Sequence, residues 1–244
     1  VSHAISELKD YSVSADEFSK KMTCHQILNS PEESQAALPR EHEGDTSFEP
    51  VVDTFEHRII AYTCLSRSAG TPIPAIHAAA RQPGRGLYVV DLVHSSVDDP
   101  EIELGAAIEA VFDCGLRPVN LVFGMTESEL ARDPSRSHSI RDFLRAHRFG
   151  FALTHAGADP GTSLLQTASD FAPDYIRLDR CLVRSFDQPR SPPRISRLVR
   201  IAERSGARVI AEGVDRVRTV ENLWLLGVRF MQGHLFGEPS ARIE

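Results

Sequence analysis

Asp91, the pair Thr126-Glu127, the pair Thr154-His155, Asp179, Glu212 and Gln232 share one property: each stands at or just past the end of a short apolar run. Carboxylates could neutralise a hard divalent cation, which takes several oxygen ligands. His155 could ligate a transition metal, but one imidazole near one carboxylate makes a poor two-metal template, so it reads as an ordinary loop histidine. These positions can act together only if the runs before them are strands whose ends converge.

The elements that would position them are legible from Phe48 onward. Short apolar runs at residues 87–90, 119–123, 151–153, 175–178, 208–211 and 228–231 suit buried strands. Between them, residues 102–114, 139–147, 163–171, 194–205 and 217–226 carry helical periodicity. Gly115, Gly150, Gly206 and Gly227 each follow such a helix, where a left-handed residue closes the last turn. This βα repeat predicts a parallel sheet with covering helices. An open doubly wound sheet would also gather strand ends in a crevice. Six βα units, preceded by strands within residues 51–64, favour a closed α/β barrel, whose chemistry sits at the C-terminal ends of its strands. No Gly-x-Gly-x-x-Gly fingerprint or Walker loop is present.

Residues 1–46 differ in texture: they are polar, with an acidic, proline-containing run from Pro31 to Asp45, and read as an arm or linker preceding a barrel domain over 47–244. The chain has 244 residues, 41% of them hydrophobic, enough for one barrel-sized domain. A net charge of -7 and the lack of a long Lys/Arg cluster argue against nucleic acid as partner. Cys24, Cys64, Cys114 and Cys181 are far apart, so neither a zinc site nor a disulfide framework is signalled, and a cytoplasmic location is expected. No apolar run reaches membrane-spanning length, and the first residues, Val1 to Glu7, do not carry the pattern expected of a secretory signal. A sensory or transmembrane region of a longer parent protein is compatible with this sequence.

Three segments resemble consecutive motifs of the EAL-domain cyclic-di-GMP phosphodiesterases: Tyr175-Ile176-Arg177-Leu178-Asp179-Arg180, Ile210-Ala211-Glu212-Gly213-Val214-Asp215, and Met231-Gln232-Gly233-His234-Leu235-Phe236-Gly237-Glu238-Pro239. Met125-Thr126-Glu127-Ser128 and Glu49-Pro50-Val51-Val52-Asp53 match weaker ones. The resemblance implies a TIM-like (β/α) barrel of the EAL type, a bacterial origin, and a site where carboxylates and an asparagine hold two divalent cations that activate water. This sequence departs from that site. The family's name-giving glutamate falls on Thr63, its asparagine on Asp91, a metal-binding glutamate on Gly124, and its paired aspartates on Thr154 and His155. The loop at 156–163 carries one extra residue. The expectation is therefore a degenerate, catalytically inactive member with no metal and no other cofactor.

Groups that contact ligand in the family survive at Leu65, Arg67, Arg177 (for the family's lysine), Glu212, Gln232 and Pro239. Two arrangements stay open for them. The arginines could grip phosphate oxygens while Glu212 and Gln232 meet guanine edges, giving a non-hydrolysing cyclic-di-GMP receptor. Alternatively, Arg67 and Arg177 pair with Asp91, Asp179 or Glu212 and fill the vacated cage. Glu127 is expected to cap a helix or pair locally, and Asp179 to fix the neighbouring arginine. Residues 68–90 leave room for one short helix at 76–81 where the family places two, so the barrel is expected to be incomplete there. Since parallel strands are normally covered on both faces, a protein partner is expected on that side, and a homodimer is compatible with it.

Overall fold

The computed structural model describes residues 46–66, 71–83, 86–92, 100–158, 170–186, 188 and 191–243, with the side chains of 100–103 and 191 left aside. The expectations for residues 1–45 and for a helix at 163–171 thus fall almost wholly outside the described residues. Eight strands close a barrel in sequence order: β1 (Thr46–Asp53), β2 (Arg58–Ser66), β3 (Tyr88–Asp91), β4 (Leu121–Thr126), β5 (Gly150–Ala156), β6 (Tyr175–Leu178), β7 (Arg208–Ala211) and β8 (Phe230–Gln232). From β2 to β8 every neighbour is parallel. The βα repeat did not foretell that β1 runs antiparallel to both β2 and β8. The four residues Thr54 to His57 that separate β1 from β2 are too few for a crossover and can only make a hairpin.

Seven helices are described: α1 (Ile73–Ala80), α2 (Pro100–Asp113), α3 (Glu127–Arg132), α4 (Pro134–Ala146), α5 (Arg180–Arg184), α6 (Ser191–Ser205) and α7 (Val217–Leu225). Their apolar stripes face the sheet, as α6 illustrates. It buries Ile195, Leu198, Val199 and Ala202 at helical spacing, and each large side chain contributes roughly 1.5–3 kcal/mol. Inside the ring, Val51, Ala61, Val89, Val122, Ala152 and Ile210 form an apolar layer from six strands, flanked by Leu87, Tyr175 and Phe230. That layer is the floor on which the polar strand ends rest. No helix of the described residues is long and apolar enough to cross a membrane.

Two local expectations are corrected. Gly115, Gly206 and Gly227 take the left-handed conformation after a helix, but after α4 that role falls to Arg148, at φ 65°. Gly150 is small for another reason: a Cβ there would meet Val122 Cγ2 at 2.8 Å. The ring is also complete beside residues 68–90, because β2 pairs with β3 from Tyr62–Tyr88 to Cys64–Val90. One helix does lie there, α1, burying Ala75, Ile76 and Ala79. The chain's own C-terminal segment covers more of that side. Ser240 bridges Phe48, Gln82 Nε2 donates to the Ala241 carbonyl (3.2 Å), and Ile243 N–H donates to Gln82 Oε1 (2.8 Å). The open flank that suggested a partner there is absent among the described residues.

Candidate functional site

Alternation along each strand sends every second side chain inward. One step beyond the apolar layer, in the direction of the parallel strands, the inward positions are Glu49, Thr63, Asp91, Gly124, Thr154, Arg177, Glu212 and Gln232. The pairing puts Asp91 beside Gly124 and Thr126 beside Thr154. Of the polar strand ends expected from sequence, Asp91, Thr154, Glu212 and Gln232 fall in this layer at one end of the barrel, while Thr126, Glu127, His155 and Asp179 lie outside it.

A cation occupies its centre. Arg177 is 4% exposed; its Nη1 donates to Asp91 Oδ1 at 2.7 Å, and its Nε lies 2.5 Å from Glu212 Oε1. The contact to Asp91 is a directed hydrogen bond, whereas that to Glu212 is a close ion pair without good hydrogen-bond alignment. Burial disfavours the guanidinium charge, but Asp91 and Glu212 more than offset this and hold Arg177 more firmly protonated than usual. Burial also pushes the Glu212 carboxyl up; Arg177 opposes the shift and Asp91 adds to it. Two carboxylates share one guanidinium, so the charge on Arg177 offsets part of their negative charge. Of the two arrangements open from sequence, this is internal pairing.

The other half of the layer is a hydrogen-bonded chain. Thr63 Oγ1 donates to Gln232 Oε1 at 2.8 Å, and Gln232 Nε2 donates to Glu49 Oε2 at 2.5 Å. Gln232, 2% exposed, spends both ends of its amide on these neighbours. Thr154 Oγ1 is buried with no hydrogen-bond partner among the described residues. Gly124 is required by crowding, since a Cβ there would lie 2.4 Å from Asp91 Oδ1 and 2.6 Å from Thr154 Cγ2.

Around this layer the other expected residues separate. Leu65 (37% exposed) and Pro239 are open to solvent, while Arg67 lies outside the described residues. Asp179 does not fix the neighbouring arginine: it caps α5 by accepting Cys181 N–H at 2.8 Å, and its other oxygen stands 3.4 Å from His155 Nδ1. Thr126 and Glu129 form the capping box of α3, leaving Glu127 buried in its first turn. Sequence reasoning passed over Glu49 as a site residue, although it opens a motif-like segment and sits one pairing from Thr63.

The residues present do not fit a pair of divalent cations. A dication about 4 Å from the Arg177 guanidinium would be repelled by roughly 8 kcal/mol at an effective dielectric near 20. Thr63, Gly124 and Thr154 bring no charge to offset that, and the Asp91 and Glu212 carboxylates that could are already paired with the guanidinium. Among the described residues, no three His, Cys, Asp or Glu side chains are grouped to hold a metal ion.

A family model described as the EAL domain matches residues 73–239 of this chain. The cyclic di-GMP phosphodiesterase RocR of Pseudomonas aeruginosa is 36% identical over 129 residues, covering 51% of this chain and 31% of RocR. The cyclic di-GMP phosphodiesterase PdeL of Escherichia coli is 29% identical over 123 residues, covering 50% of this chain and 33% of PdeL. The match thus spans about a third of these relatives' length. Among solved structures, Klebsiella pneumoniae BlrP1 in a manganese and cyclic-di-GMP complex superposes with a TM-score of 0.73 at 23% identity, covering 83% of this chain and 57% of that one. The EAL domain of Mycobacterium smegmatis DcpA gives 0.71 at 19% identity, covering 80% and 91%. At these identities the structural likeness speaks for the fold.

Proposed function

The chain belongs to the EAL domain family, and we propose that it serves as a regulatory module that does not hydrolyse cyclic-di-GMP and acts by docking onto another protein. The observation that carries this reading is the Arg177 guanidinium between Asp91 and Glu212, in the layer where the family's resemblance calls for two cations. A general base needs a metal-bound water to act on in this chemistry, and the layer offers no charge balance for the metal. Four large apolar side chains stay exposed at the end where the parallel strands begin: Phe55, Phe112, Val119 and Leu225, the last at 77%. A protein docking on that end would cover these groups.

A second reading is a receptor that binds the intact dinucleotide. Leu65 and Pro239 favour it, being accessible at the same end as the polar layer. Against it, Arg177, Glu212 and Gln232 are 4%, 8% and 2% exposed and already engaged, so binding would have to break internal pairs.

Calorimetric titration of cyclic-di-GMP without divalent metal and then with manganese, followed by a search for linear product, separates the readings. No heat and no product supports the docking module. Binding without product replaces it with the receptor, and product above a no-protein control overturns both.

A further inference from the structure

The end of the barrel opposite the polar layer carries a second concentration of charge. A cleft of about 680 Å³ opens where β5, β6 and β7 begin, within the size range of small-molecule sites. Arg145, Arg148 and Arg208 line it, with Tyr175 between the strands and Asp174 as the sole lining carboxylate among the described residues. One Asp174 oxygen is already committed to the N–H of Phe151 at 2.8 Å. Three guanidiniums therefore face one partly used carboxylate.

Among the described residues, none of the three is spent on an acidic partner. Arg145 donates to the Ala172 carbonyl. Arg208 lies over the Tyr175 ring, 6.0 Å from its centroid. The Arg148 side chain makes no hydrogen bond or ion pair among the described residues.

The backbone supplies an independent observation. Among the described residues, four non-glycine residues take positive φ: His57, Arg148, His155 and Ala172. Two of these, Arg148 at 65° and Ala172 at 42°, line this cleft. A glycine would hold the position after α4 without strain, as glycine does after α2, α6 and α7. An arginine in a conformation that disfavours it, with its charge unpaired, is strain held at a candidate site.

We infer that this cleft is a binding site for a small phosphate-bearing ligand, whose oxygens the Arg148 and Arg208 guanidiniums grip and whose flat ring, if it carries one, stacks beside Tyr175. Planar guanidinium forks match phosphate oxygens two at a time, and an arginine held over an aromatic ring is already oriented for that contact. The inference is independent of whether cyclic-di-GMP binds or is cut at the polar layer, because the two sites lie at opposite ends of the strands.

The test is a titration of the whole chain with inorganic pyrophosphate and with adenosine monophosphate, at about 0.15 M salt, read by calorimetry. Wild-type protein is compared with Arg148→Gly, Arg208→Ala and the double variant. Saturable binding that weakens about tenfold in each single variant supports the site. Arg148→Gly keeps the test clear of misfolding, because glycine relieves the left-handed strain. It is expected to melt no lower than wild type while losing affinity. No saturable binding of either probe, or binding unchanged in the double variant, overturns the inference.

Discussion

Asp91 and Gly124 are matched in space: the Asp91 carboxylate occupies the room that a side chain at 124 would need, 2.4 Å from where its Cβ would stand. They are neighbours across β3 and β4, and Arg177 holds the carboxylate in place. The absence of a side chain at 124 and the aspartate at 91 are two sides of one packing solution. Gly124→Ala should therefore destabilise the fold by about 1–3 kcal/mol, the usual cost of overpacking. Combined with Asp91→Ala, it should cost less than the two single changes added together, with a coupling of at least about 0.5 kcal/mol. Urea unfolding of the four members of this cycle measures the coupling, and strict additivity would refute the match.

Glu212 gives the polar layer a pH signature. Its carboxyl is pushed above the usual carboxylate range by burial, so the folded state binds its proton more tightly than the unfolded chain. Its contribution is fully present below the unfolded value and is lost as pH rises through the folded one. Unfolding midpoints of wild type and Glu212→Gln between pH 4.5 and 8 should diverge in favour of the glutamine variant as pH rises. A constant difference across that range would mean that Arg177 fully compensates the burial.

How much of this was legible in the sequence depended on range. The apolar runs and the polar residues closing them are local patterns, and they gave six of the eight strand positions, β3 to β8, their direction. The hairpin of β1 escaped because residues 51–64 read as strand without revealing the tight turn at Thr54 to His57. Internal pairing of Arg177 with Asp91 and Glu212 was one of two arrangements sequence could name, since opposite charges were known to reach the same end of the barrel. Choosing between them needed the barrel closed, because Arg177 and Asp91 are 86 positions apart. Gly150 shows the opposite failure: a glycine after a helix carries a local explanation that is wrong here, and the true one, Val122, comes from another strand.

Asp53 fastens the barrel at its other end and has the opposite pH behaviour. It is buried at 1% exposure, accepts the N–H groups of Phe55 (3.0 Å) and Glu56 (3.2 Å), and pairs with Arg229. Burial works against its charge, but these bonds win and hold the carboxyl below its usual range. Its stabilisation is therefore present above the unfolded value and lost as pH falls through the folded one. Asp53→Asn should cost about 1–3 kcal/mol at pH 7 and progressively less on acidification below pH 4. Denaturant midpoints at pH 7 and pH 3.5 check this, and an equal cost at both would place the effect in packing.

The incompatibility of Arg177 with divalent metal yields a gain-of-function prediction. Thr63→Glu, Asp91→Asn, Gly124→Glu and Thr154→Asp together bring oxygen ligands to the layer. With Arg177 in place, its guanidinium should occupy the centre between those carboxylates and repel a dication, so manganese should leave the melting temperature unchanged. Adding Arg177→Lys to the set replaces a wide planar fork with a compact ammonium on a flexible stem, which can withdraw from the centre. Manganese should then stabilise this five-fold variant, by about 2.7 kcal/mol at a hundredfold excess over the dissociation constant. Thermal melts of both variants with and without manganese decide the matter. Equal stabilisation of both would show that the guanidinium does not bar the metals, and it would return hydrolysis to consideration.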